Sequence, residues 1–104
     1  MDLNELQSAA MRWATKNFPN AKPYQPLLGI AEEVGELCHA HLKAEQGIRN
    51  ATYEDKVDAV GDIVIFMLHY CNLNNIDLET AIKDTWAKVS QRDWTKNQVN
   101  GQAE

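Results

Sequence analysis

The sequence predicts an all-α protein built as a four-helix bundle. Three observations carry that prediction. Apolar residues recur at helical spacing in four separate stretches, each stretch is bounded by residues that start or stop helices, and no stretch alternates apolar and polar residues as a half-buried strand would. A chain of 104 residues is expected to be one domain with one modest core.

The first helix is expected from Asp2 to about Phe18, with Leu3, Leu6, Ala10, Trp13 and Ala14 on one stripe and Asp2 and Glu5 as a capping pair. Pro19, Pro23 and Pro26 then fix φ and remove backbone donors, so PNAKPYQP forms a rigid connector. Pro26 suits the first turn of a second helix, which runs through LLGIAEEVGELCHAHLKAEQ to a stop at Gly47. Thr52 is placed to cap a third helix, from about Tyr53 to Leu73. It is apolar almost all the way round between Ile63 and Leu68, a pattern that calls for burial on several sides, including by another subunit. Asn74 and Asn75 break it, and Asp77 caps a fourth helix with Leu78, Ala81, Ile82 and Val89 on one face. Residues 1–94 are expected to form the domain and residues 95–104 a flexible polar tail.

Composition narrows the function. With 44% hydrophobic and 24% charged residues the chain reads as an ordinary globular protein. The polar start MDLNELQ has no signal-peptide pattern and no stretch is long enough to span a bilayer, so a cytoplasmic protein without membrane association is expected. Cys38 and Cys71 lie in apolar helical patterns and are expected to be buried and reduced. A formal charge of −5 argues against a nucleic-acid polymer as partner, because that grip depends on Lys and Arg. An acidic protein that handles phosphates needs a metal between the two.

Two acid clusters fall on helices. Glu32, Glu33 and Glu36 border the apolar stripe of the second helix at about 0°, 100° and 40° on a wheel of about 100° per residue. Alone they describe a solvated helix face, since three neighbouring glutamates repel one another. Asp58 and Asp62, four apart, share a stripe of the apolar third helix with Phe66 and His69 and need a partner there. A buried cation or backbone donor is the plain partner. A divalent cation shared with the glutamates of the second helix is the functional one, and all-oxygen donors suit Mg²⁺. Glu36 and His39 also form an ExxH pattern, as in di-iron bundles, but such sites need a second ExxH helix, and His69 has Phe66 at the matching position.

The strings GIAEEVGEL, VGDIVIFML and WAKVSQRDW resemble the MazG-like branch of the all-α nucleoside triphosphate pyrophosphohydrolases, over about residues 26 to 94. That resemblance implies a four-helix core, a dimer or tetramer with core helices packed across the subunit interface, and Mg²⁺, with Mn²⁺ as a possible substitute, held between two helices. Glu32, Glu33 and Glu36 match the family's EExxE, and Asp62 matches the Asp of its ExxD. The glutamate of ExxD is replaced by Ala59, with Asp58 one residue earlier as its nearest substitute. Lys88 and Arg92 resemble a basic pair near the phosphates, although Lys and Arg in a last helical turn also suit its dipole.

The implied reaction is attack of water at the α-phosphorus of a nucleoside triphosphate, giving nucleoside monophosphate and pyrophosphate, for nucleotide-pool sanitation or control. Glu33, Glu36, Asp62 and Asp58 are the expected metal ligands, and Glu32 or Glu33 the general base. Phe66, His69, Trp13 and Tyr70 are candidates for the wall of a flat slot for base and sugar, Phe66 being one turn after Asp62 on the same stripe, while Trp13 and Tyr70 also suit a plain core. Two other readings stand beside this one: a catalytically inactive helical oligomeric interaction module, disabled at Ala59, and a metal-binding regulatory protein.

Overall fold

The computed structural model describes residues 1–102 as four α-helices with no strand among them: α1 Leu3–Asn17, α2 Gln25–Glu45, α3 Tyr53–Leu73 and α4 Leu78–Val89. The all-α prediction is borne out, and each helix starts where local chemistry starts it. The Asp2 carboxylate accepts from the Glu5 N–H at 2.8 Å, the Thr52 hydroxyl from Asp55 N–H at 3.1 Å, and the Asp77 carboxylate from Thr80 N–H at 3.1 Å. The Thr80 hydroxyl, which also donates to Asp77, and then the Thr80 N–H hold the Asp77 carboxyl below the ordinary aspartate range. α2 has no side-chain cap and uses Pro26 in its first turn instead. It stops where Gly47 takes φ +74°, and α3 stops where Asn75 takes φ +57°; both are left-handed conformations that glycine and asparagine tolerate best.

α2 and α3 form an antiparallel hairpin, α1 lies against α3, and α4 packs mainly on α1. One buried polar group ties three of these helices together. The Gln7 side chain donates to Asn72 Oδ1 at 3.1 Å and to the Ile76 carbonyl at 2.8 Å, and accepts from Leu78 N–H at 3.0 Å; Asn72 donates back to the Gln7 carbonyl at 3.1 Å. Gln7 thereby satisfies backbone groups of the α3–α4 turn that would otherwise lack partners.

Burial is sparse. Among the described residues the buried apolar ones are Ala14, Ala59, Leu68 and Cys71, and only Leu68 of the large side chains is fully enclosed. The radius of gyration is 17.3 Å, against about 13 Å for a compact chain of this length. The burial on several sides expected of α3 between Ile63 and Leu68 is incomplete within one chain, because Val64 and Ile65 are exposed, as is Val60 before them. α4 buries none of its residues and presents Ile82, Trp86 and Val89 along one open stripe.

Both cysteines are free thiols, as expected, but their surroundings differ. Cys71 is buried, which pushes its thiol above the ordinary value, whereas Cys38 is exposed and corrects the expectation of a buried pair. The reason is positional: Cys38 lies on a part of α2 that the rest of the chain leaves open. Of the segment expected as a loose tail, residues 95–102 fold back, with Gly101 donating to the Asn97 carbonyl at 3.0 Å and its own carbonyl accepting from Asp93. The last two residues lie outside the described residues. No helix among the described residues is long and apolar enough to cross a membrane.

Candidate functional site

The α2–α3 hairpin positions the candidate site. α2 brings Glu33 and Glu36 to one side of a cleft of about 330 Å³, and α3 brings Asp55, Asp58 and Asp62 to the other, with Ala59 between them. The spacings explain this: 33 and 36 are one turn apart on α2, while 55, 58 and 62 recur at three and four residues on α3, so each set occupies one face. Glu32, on the adjoining face of α2, is exposed and does not line the cleft.

The electrostatics follow from that convergence. The Glu33 carboxyl is held above the ordinary glutamate value, first by loss of solvent and then by repulsion from Glu36, Asp62 and Glu32. This donor set is all oxygen apart from His39 at the cleft wall, which fits a hard cation rather than a thiolate-seeking one. Among the described residues no three acidic, histidine or cysteine side chains converge tightly enough to hold an ion unaided, so coordination there would require water or a phosphate oxygen as further ligands.

Asp62 also opens onto a second space. With Ala10, Trp13, Ala14, Phe18, Ile65, Phe66 and His69 it lines an apolar cavity of about 190 Å³ between α1 and α3. This cavity adjoins a groove of about 350 Å³ whose walls are Phe18, Phe66, His69 and the connector residues Pro19, Asn20, Ala21, Gln25 and Pro26. Phe18 packs edge-on to Trp13 with ring centres 5.6 Å apart and stacks on His69 at 6.3 Å. Partial burial holds the His69 imidazole below its ordinary value, so the ring is neutral near pH 7.

Of the residues singled out in the sequence, Glu33, Glu36, Asp58 and Asp62 come together at one cleft, and Trp13, Phe66 and His69 come together beside it. Lys88 and Arg92 do not join them; both are exposed, Lys88 on α4 and Arg92 just beyond it. Tyr70 lines neither cavity. Sequence reasoning missed Phe18, Asp55 and Arg49. Phe18 carried a signal in its place at the end of an aromatic-bearing helix next to proline, but a loop arginine such as Arg49 has no periodicity to reveal it.

Compared with known proteins, the chain matches no family model, no curated protein and no solved structure.

Proposed function

We propose that this protein is a Mg²⁺-dependent nucleoside triphosphate pyrophosphohydrolase similar to the MazG-like enzymes. The observation that carries the reading is the shared position of Asp62, which belongs both to the cleft of carboxylates and to the aromatic cavity. A nucleotide needs both: an apolar, flat environment for its base, and an acidic, metal-loaded one for its phosphates.

Glu33, Glu36, Asp58 and Asp62 are the residues that would hold Mg²⁺, or Mn²⁺ in its place. The ion would neutralise phosphate charge and lower the pKa of bound water. Phe66, His69, Phe18 and Trp13 hold the base and sugar, and the neutral His69 ring suits stacking on an uncharged base. Glu33 accepts the proton of the attacking water. Its place in the cleft, which Glu32 does not line, favours it over Glu32 as the general base. Asp58 stands one turn before Asp62 on the same face and supplies the charge that Ala59 lacks.

We also propose that the chain works as a dimer or tetramer. The open apolar faces of α3 and α4 would be covered by a second copy.

The test is incubation with Mg²⁺ and a panel of canonical and modified nucleoside triphosphates, assaying pyrophosphate and orthophosphate separately. Pyrophosphate release that disappears in Glu36→Gln and Asp62→Asn is the expected result. Orthophosphate alone would refute cleavage at the α-phosphorus. Ala59 in the cleft wall, and the absence of a ready-made three-donor group among the described residues, favour a second reading, an inactive oligomeric module. That reading predicts no release from folded protein.

A further inference from the structure

The acidic cleft contains one permanently charged cation. Arg49 lines it with Glu33, Glu36, Asp55, Asp58 and Asp62, at the end where α2 turns into the connector. A guanidinium among five carboxylates would ordinarily form a two-pronged ion pair with one of them. Arg49 does not: the ion pairs among the described residues are Lys83–Glu79 at 3.4 Å and Lys96–Asp93 at 4.0 Å. Its Nη2 instead lies 3.3 Å from His39 Nε2, and because arginine has only donors, the ring nitrogen must accept. The rest of the fork has no protein acceptor among the described residues.

The backbone under this side chain is fixed. Gly47 reverses the chain at φ +74°, and the Ile48 and Arg49 N–H groups both reach the Lys43 carbonyl, at 3.0 and 3.4 Å, closing the end of α2. The hairpin is antiparallel, so its features fall in a line. Phe66 lies on Gly29 at one end, Glu33 and Glu36 face Asp62 and Asp58 in the middle, and His39, Arg49 and Asp55 stand at the other end. Gly29 to His39 spans about 15 Å along α2 at about 1.5 Å per residue.

We infer that Arg49 binds the terminal phosphate of the nucleotide and makes this site select triphosphates over diphosphates. The inference rests on the proposed function. A nucleotide laid along the hairpin with its base against Phe66 brings its last phosphate to the open fork of Arg49, whose planar donors match phosphate oxygens. In the reaction, water oxygen bonds to the α-phosphorus, its proton passes to Glu33, and the bond from that phosphorus to the α–β bridging oxygen breaks. The electron pair leaves with pyrophosphate, and Arg49 holds the charge that develops on that group. His39, accepting through Nε2, orients the fork and is a positioning residue.

The experiment compares wild type, Arg49→Ala and Arg49→Lys on one nucleoside triphosphate and its diphosphate, and measures binding of Mg²⁺-pyrophosphate by calorimetry. Arg49→Ala is expected to lower kcat/KM for the triphosphate roughly 10- to 100-fold, the loss typical of a charge-assisted hydrogen bond, with little change for the diphosphate. Arg49→Lys should recover part of that loss, and pyrophosphate affinity should fall in parallel. Equal loss on both nucleotides, or no loss, overturns the inference while leaving the hydrolase reading intact. Wild type without turnover overturns the hydrolase reading, and pyrophosphate affinity unchanged by Arg49→Ala then overturns this inference as well.

Discussion

The ring of Phe66 lies directly on the backbone of Gly29: a β-carbon added at that glycine would fall 2.6 Å from ring atoms Cδ1 and Cζ. The hydrogen of this one residue is what lets an aromatic ring stand between α2 and α3, beside Asp62. Gly29→Ala should therefore displace the ring and cost about 1–3 kcal/mol by overpacking. Nucleotide affinity should fall while the acids stay in place. Gly29→Ala combined with Phe66→Leu should be less destabilised than the sum of the two single variants, a coupling that chemical denaturation can measure. Simple additivity would show that the contact has no energetic weight.

Leu68, on α3, is the one large side chain among the described residues with no exposure at all. Leu68→Ala should lower unfolding free energy by about 2–5 kcal/mol. Against the 5–15 kcal/mol typical of whole domains, such a loss threatens folding. A shift of the urea midpoint worth less than about 1 kcal/mol would mean the real core lies elsewhere.

Gln7 offers a polar counterpart. Replacing it with alanine strands Leu78 N–H, the Ile76 carbonyl and Asn72 Oδ1 together, with an expected loss of about 1–3 kcal/mol. Hydrogen exchange should localise the damage to the α3–α4 turn and the start of α4. Uniform loss of protection across α2 would contradict a local clamp.

The depressed proton affinity of His69 links stability to pH. Between its folded value and its ordinary value of 6.5, the unfolded chain holds more protons than the folded one, so stability rises with pH across that window. The contribution is complete above 6.5 and is lost as pH falls through the lower folded value. His69→Phe should flatten this part of a Tm–pH curve. An unchanged slope would assign it to other groups. Asp77 acts in a more acidic range with the same sign, its contribution present above 3.8 and lost as pH falls through its lower folded value.

Val60, an apolar residue of α3, is 57% exposed. Association of two or more copies should cover it, and Val60→Lys should shift sedimentation velocity toward the monomer and lower Tm at equal concentration. A wild-type monomer with the present exposure, stable at high concentration, would refute the proposed self-association.

The helices were legible in the sequence because their punctuation is local. Asp2, Thr52 and Asp77 need only a neighbouring N–H to cap a helix, and Gly47 and Asn75 need only their own backbone freedom to end one. The acids of the cleft were legible for the same reason, through periodicity on one element at a time. Exposure was not: Cys38 sits in an apolar pattern like that of Cys71, yet only Cys71 is buried. The position of α4 was also beyond reach, since an amphipathic stripe declares that it needs a cover without saying which surface provides it. Arg49 depends on how a turn is folded back, which spacing does not encode.

One antiparallel hairpin, from Gly29 to Phe66, carries the acids, the aromatic wall formed by Phe66 and the loop arginine. Its helices are joined by a connector of only seven residues between Glu45 and Tyr53, at positions 46–52. Closing so short a loop sacrifices little chain entropy, and contacts near in sequence form fast. The cleft is therefore expected to form early, and α1 to close the aromatic cavity later by docking across a longer stretch of chain. Damage to α1 should leave a chain that still gathers its carboxylates but has lost the chamber beside them.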